Sequence, residues 1–347
     1  MDNFINDLIK CKETIKSDYS IVVGNVSADA DSIISALFYS YYSYCLGKIV
    51  FPFINIPKSE LVLREDIIFL LKEKSVNLDI FIFKDDPKYF LNNSRSIVLV
   101  DHNCPEGIIS NVEERITKIY DHHKDSNWGK GIKKVITNDV SAASIIYRML
   151  LKIGRVNNLI NYLMKTLLIL DSYNFSKNIG RFNNFDLDIY SSINIYLSES
   201  FKKDLIKKRF SIANYSNYEL IIKDTKKYKS DKHNIVVSTI TASFDKIDSS
   251  FEDFTKEVIP FIKDEDSNLY LGMLIDFIGK TPQRELIIVS KKSDYQSIVS
   301  AIESSFELKL LDSVDIEKYR ASIFLQSNIT ISRKKMMPIV IESLDTK

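Results

Sequence analysis

Three short apolar runs in the first half of the chain each break off at an acid, an amide or an imidazole. Residues 20–24 (SIVVG) run into Asn25 and then Asp29 and Asp31. Residues 96–100 (SIVLV) run into Asp101, His102 and Asn103, and residues 117–120 run into Asp121, His122 and His123. Apolar runs of this length, bounded by polar residues, read as buried strands. Between them stand stretches with helical spacing of apolar residues: 32–46, 65–73, 141–153 and 157–171. Residues 48–56, interrupted by Pro52, and residues 78–83 read as further strands. Strand and helix in alternation predict an α/β fold with a doubly wound parallel sheet. Such sheets collect ligands beyond the carboxyl ends of their strands. Three strands thus bring acids and imidazoles to one edge, and Asp171, closing the apolar run 167–170, is a fourth contributor.

The second half has a different texture. Residues 193–208, 217–229 and 294–304 read as helices, and 234–240, 269–275, 285–289 and 307–311 as strands. This predicts a mixed-sheet α/β domain. Residues 175–187, polar and rich in asparagine, read as the linker. The expectation is two domains, 1–188 and 189–347, which suits 347 residues at roughly 100–200 per domain.

Charge and composition exclude several classes. Forty-seven Lys and Arg face 46 Asp and Glu, so no global basic field exists and a polyanion must be held by a local cluster. No nucleic-acid partner is expected. No apolar run is long enough for a membrane span, and residues 1–17 lack a signal-peptide core, so the default expectation is cytoplasmic. Three scattered cysteines suggest no disulfide framework. The common glycine-rich nucleotide loops are missing.

The acids and histidines have a shared logic. The chain has four histidines, and three of them fall between positions 102 and 123. Grouped carboxylates are costly to bury unless something positive neutralises them, and divalent cations are the simplest answer. Carboxylate and imidazole donors suit Mg²⁺, Mn²⁺ and similar ions. Each piece also has a plain reading. Asp29-Ala30-Asp31-Ser32 alone reads as a helix N-cap, with Asp31 or Ser32 as the cap. Asp121-His122-His123 alone reads as a solvated turn. Their convergence at one sheet edge favours a metal centre.

These elements resemble the motifs of the DHH phosphoesterase superfamily. The matching residues are 24–32 (GNVSADADS), 98–103 (VLVDHN), 120–123 (YDHH) and 168–171 (LILD), in the family's order. The second half resembles a DHHA2 domain: residues 224–228 (DTKKY) are similar to its D-x-K-x-aromatic element, and residues 332–338 (SRKKMMP) to its C-terminal S-R-K motif. Within the superfamily, residues 54–58 (INIPK), with Leu63-Arg64, resemble the exopolyphosphatase and prune branch. So does Asn25, which stands where family II inorganic pyrophosphatases carry a histidine ligand.

The resemblance implies two divalent cations, with Mg²⁺ first and Mn²⁺ or Co²⁺ as alternatives. Asp29 and Asp101 would hold one, with Asn25 nearby as ligand or as neighbour to a water. Asp31, Asp101, His122 and Asp171 would hold the other, Asp101 bridging. A water between the cations would attack the terminal phosphorus. His123 would contact a phosphate oxygen and assist the leaving group, His102 would contact phosphate, and Asp121 would orient an imidazole. Lys226, on a predicted helix, with Ser332, Arg333 and Lys334, would bind substrate phosphates across an interdomain cleft. The implied activity is exopolyphosphatase: hydrolysis of terminal phosphoanhydride bonds of inorganic polyphosphate. The alternatives are a pyrophosphatase or short-chain (tripolyphosphate) phosphatase, a prune-like cyclic-nucleotide phosphodiesterase, or a prune-like interaction protein.

Overall fold

A computed structural model describes every residue except 1, 15–16, 87–88, 178–181, 277–282, 304, 329–330, 332 and 347. Ser332 therefore lies outside the described residues. The chain divides into two compact units, Met1–Arg209 and Phe210–Lys347.

The first unit contains α1 (Asp2–Thr14), β1 (Tyr19–Val23), α2 (Ala30–Cys45), β2 (Val50–Ile54), α3 (Glu65–Glu73), β3 (Ile82–Phe83), α4 (Tyr89–Asn92) and β4 (Ser94–Val100). It continues with β5 (Ile116–Asp121), β6 (Lys133–Ile136), α5 (Ala142–Lys152), α6 (Asn158–Asp171), α7 (Asn184–Ser192) and α8 (Glu199–Phe210). Its six strands form one parallel sheet in the order β3-β2-β1-β4-β5-β6. The carboxyl-end halves of its central strands are apolar and buried: Ile21, Val22, Val23, Ile97, Leu99 and Val100. Strand order reverses between β1 and β4. That is the switch point where the doubly wound fold opens a crevice at its carboxyl edge. Asn25 and Asp101, just past these two strands, flank it.

The second unit contains α9 (Asn217–Ile222), β7 (Thr225–Lys229), β8 (Asn234–Ile240), α10 (Phe251–Asp264), β9 (Leu269–Asp276), β10 (Gln283–Lys291), α11 (Lys292–Glu303), β11 (Leu308–Ile316), β12 (Tyr319–Gln326) and α12 (Arg333–Asp345). Its sheet runs β11-β12-β10-β9-β8-β7, with β8 and β9 parallel and the other pairs antiparallel. Alternation along β8 sends Val236 to one apolar cluster, and Ile235 and Val237 to the other.

Several expected elements are redrawn. Residues 217–229 split into α9 and strand β7, so Lys226 stands on a strand and not on a helix. Residues 78–83 give a 3-10 turn, Leu78–Ile80, before the two-residue β3. Within the expected linker 175–187, helix α7 begins under a capping box of Asn183 and Asp186, which fixes the chain there. The helix expected from 193 starts at Glu199. The first compact unit runs to Arg209, beyond the expected boundary at 188, because α8 buries Leu205 in the first core and its Arg209 pairs with Asp66 and Asp171.

Candidate metal centre

The loop after β1 is built to curl. Gly24 lies so close to helix α2 that an added Cβ would meet the Ser32 Cβ at 2.8 Å. Ala28 adopts φ +46°, and the following Asp29 caps α2 by accepting the Ser32 N–H at 3.1 Å. The cap is thus Asp29, and Asp31 and Ser32 lie in the helix's first turn. Arg64, buried, holds the turn from outside: its Nε and Nη2 donate to the Ser27 carbonyl at 3.1 and 2.6 Å. The curl lets both aspartates of the Asp-x-Asp pair contribute to the edge, Asp29 exposed and Asp31 buried.

Asp101 stands at the centre. It follows β4 directly, takes φ +62° and is buried. Its Oδ2 accepts from Asn25 Nδ2 at 2.7 Å and from Ser32 Oγ at 2.6 Å. Its Oδ1 faces His122 Nε2 at 3.3 Å and His123 Nδ1 at 3.6 Å. Burial, with the charges of Asp31 and Asp29, raises its pKa well above the usual carboxylate range.

The two imidazoles after β5 are held differently. His122 Nδ1 pairs with the Asp139 carbonyl at 3.0 Å, which turns Nε2 toward Asp101 and toward Asp31 Oδ2 at 3.5 Å. Burial opposes protonation of His122, but the Asp101 hydrogen bond and the charges of Asp31 and Asp101 prevail and push its pKa up to about 10. His123 Nδ1 pairs with Asp121 Oδ1 at 2.7 Å. Asp121 is fully buried and saturated: Oδ1 also accepts the His122 N–H at 2.8 Å, and Oδ2 accepts the Asn103 amide. Burial works against its charge, yet the His123 hydrogen bond and charge hold its pKa well below the ordinary range. Asp121, Asp101, His122 and His123 each place a donor atom within 4.8 Å of the others. The saturation of Asp121 makes it the residue that orients His123. His102 Nδ1 pairs with the Val100 carbonyl at 2.9 Å.

Asp31 and Asp171 are not in that four-residue cluster: Asp31 meets it through His122, and Asp171 senses the charges of Asp31 and Asp29. Asp31 Oδ1 accepts from Ser141 Oγ at 2.8 Å and Ser35 Oγ at 3.0 Å, and Oδ2 accepts the Ala142 N–H at 2.8 Å, so the start of α5 grips it. Asp171 ends α6, with Oδ1 on Arg209 Nη1 at 2.7 Å and Oδ2 buried with no hydrogen-bond partner. Burial drives the Asp171 pKa up to about 7 even against the charge of Arg209, helped by Asp31 and Asp29. Arg209 also donates Nε to Asp66 Oδ2 at 3.0 Å.

This donor set fits divalent cations. A buried carboxylate oxygen without a partner, an imidazole nitrogen aimed at two carboxylates, and acidic charges that raise the pKa of Asp101 and Asp171 are what a cation would relieve. Asn25 fits a supporting role: Nδ2 goes to Asp101, and Oδ1 accepts from Ser27 N and Ala28 N at 2.8 and 3.2 Å. In the second unit Arg333 opens α12 and donates Nη1 to the Asp224 carbonyl at 3.0 Å and Nη2 to Asp224 Oδ1 at 2.8 Å. The first residue of the 224–228 element is thereby joined to the basic element at 333–334. Lys226 is half-buried on β7 and Lys334 is exposed. Sequence reasoning named Asn103 and Arg64 without giving them a role, and missed Ser141, Asp66 and Arg209. Only Ser141, as a helix-start residue, carried a local signal.

Two family models match the chain: the N-terminal domain of the DHH family over residues 20–170, and the DHHA2 domain over residues 203–343. A candidate exopolyphosphatase of Schizosaccharomyces pombe is 26% identical over 374 residues, covering 98% of this chain and 95% of that protein. The human exopolyphosphatase PRUNE1 is 24% identical, covering 93% of this chain and 75% of that protein. Among solved structures, a candidate family II inorganic pyrophosphatase from Methanococcus jannaschii shares the fold. Its TM-score is 0.65 at 20% identity, covering 93% of this chain and 99% of that one.

Proposed function

We propose, from its DHH family N-terminal domain and its DHHA2 domain, that this chain is a metal-dependent hydrolase that removes terminal orthophosphate from inorganic polyphosphate. The observations that carry the reading are the cluster of Asp101, Asp121, His122 and His123 donor atoms and the Asp171 oxygen, buried, unpartnered and within reach of the charges of Asp31 and Asp29. The proposed ligands are Asp29 and Asp101 for one cation, and Asp31, Asp101, His122 and Asp171 for the other. Mg²⁺ is preferred, because the position of Asn25 adds no imidazole and leaves an oxygen-rich set. When bound, the two cations would supply an acidified water and neutralise phosphoryl charge in an in-line displacement.

The chain's own groups supply the rest. Asp101 is oriented by Asn25 and Ser32, and its Oδ1 faces the histidines. His123, held at Nδ1 by Asp121, keeps Nε2 for a phosphate oxygen and for a proton to the departing phosphate chain. His102, Arg333, Lys334, Lys226 and Ser332 are proposed to bind substrate phosphates, with Arg333 as the bidentate fork. Relatives named as exopolyphosphatases support this substrate class.

The test is a panel of long polyphosphate, tripolyphosphate and pyrophosphate against Mg²⁺, Mn²⁺ and Co²⁺. Preference for pyrophosphate would replace the reading with the second one, a pyrophosphatase. The fold shared with a pyrophosphatase candidate makes that second reading specific. Arg333→Met should raise KM for the preferred substrate about tenfold or more, in line with loss of a charge-assisted fork.

A further inference from the structure

Arg209 is used by no step above, yet it touches the metal centre. It sits near the end of α8, its side chain 18% exposed, and one guanidinium group reaches two acids. Nη1 donates to Asp171 Oδ1 at 2.7 Å and Nε to Asp66 Oδ2 at 3.0 Å. Asp66 is buried in the first turn of α3, and its other oxygen accepts the Ile67 N–H at 2.9 Å. The second oxygen of Asp171 is buried and unpartnered.

We propose that Arg209 is a positioning residue of the metal centre, clamping Asp171 to Asp66 so that one oxygen of Asp171 is occupied and the other is presented to a cation in a fixed direction. The proposal rests on Asp171 being a ligand, as read above. Two considerations separate it from a plain structural ion pair. The guanidinium occupies only one oxygen of Asp171, and the other, buried without a partner, is left for a cation. A lysine would offer a point charge to either acid, whereas the planar fork fixes the orientation of both. Groups that orient a ligand in this way typically contribute 10–100-fold to metal affinity.

The experiment is Mn²⁺ titration of the full chain, with free Mn²⁺ read by electron paramagnetic resonance and thermal melting as the folding control. Arg209→Lys and Asp66→Asn should each weaken one of two Mn²⁺ equivalents about 10–100-fold and leave the other in place. Arg209→Gln should do so at least as strongly. If that variant does not fold, the other two decide. Asp171→Asn should lose the same equivalent. Native affinity for both ions in folded Arg209→Lys and Asp66→Asn overturns the clamp. Equal weakening of both ions marks a merely structural role and overturns it too. If Asp171→Asn itself binds both ions normally, the ligand assignment falls and the clamp with it. If only Asp171→Asn is impaired, the clamp alone falls.

Discussion

The Asn25 amide donates to Asp101 Oδ2 at 2.7 Å, so this side chain is spent on orienting the central carboxylate. Replacing it changes both the hydrogen bond and the donor chemistry. Asn25→His should shift metal preference from Mg²⁺ toward Mn²⁺ or Co²⁺. It should also raise pyrophosphate turnover relative to polyphosphate, by about tenfold in the ratio of kcat/KM, or about 1.4 kcal/mol. An unchanged metal-by-substrate profile would detach this position from selectivity.

Asp101 and His123 should fail in different ways. Asp101→Ala removes the carboxylate shared by both proposed cation sites, so turnover and cation binding should disappear together. His123→Ala should keep the cations and lose about 10²–10⁴ in kcat, the usual worth of a positioned proton donor. Calorimetric Mg²⁺ titration beside steady-state kinetics separates the two. Unchanged hydrolysis by both variants would end the enzyme reading.

The centre predicts opposed pH effects without metal. Asp171, folded pKa about 7, and Asp101, also raised, hold protons that the unfolded chain releases near pH 4. Metal-free stability should therefore fall as pH rises from about 4 to 7. His122, at about 10, adds stability that is complete below about 6.5 and fades toward 10. Asp121, lowered, acts in reverse and costs stability only as pH drops below about 4. Cation binding must displace the protons on Asp171 and His122, so Mg²⁺ affinity should climb across pH 6–9. Melting curves with EDTA and with excess Mg²⁺ check this: the gap between them should widen with pH. A constant gap would contradict the assignment of these groups to the cations.

Gly24→Ala tests the packing behind the centre. The new methyl would press on the Ser32 Cβ at 2.8 Å and push the hydroxyl that donates to Asp101. Overpacking of this kind costs about 1–3 kcal/mol, visible as a lower Tm. The loss of kcat/KM should exceed that seen for an equally destabilising change in the second unit's core, such as Ile287→Val. Equal losses would mean that Ser32 plays no part in aiming Asp101.

Readability from sequence tracked how local each signal was. The ends of β1, β4 and β5 were readable because buried parallel strands end their apolar runs at polar stops, and those stops form the candidate site. Strand β7 was not: residues 225–229 (TKKYK) lie at a sheet edge, where neither face needs a clean apolar alternation. The role of Asn25 needed the structure, since an amide can coordinate or donate. Arg209 was out of reach, because its partners lie 143 and 38 residues away and no local pattern foretells a buried ion pair.

The two aspartates of the Asp-x-Asp turn differ in their access to water. Asp29 is exposed at the helix cap, while Asp31 is 3% exposed beneath the first turn of α5. Cations held there as proposed should accordingly keep different clocks. The occupant beside Asp29 should exchange with bulk solvent quickly, while its neighbour should wait for α5 to lift. A chelator should then drain the protein in two phases, leaving a long-lived species with a single ion.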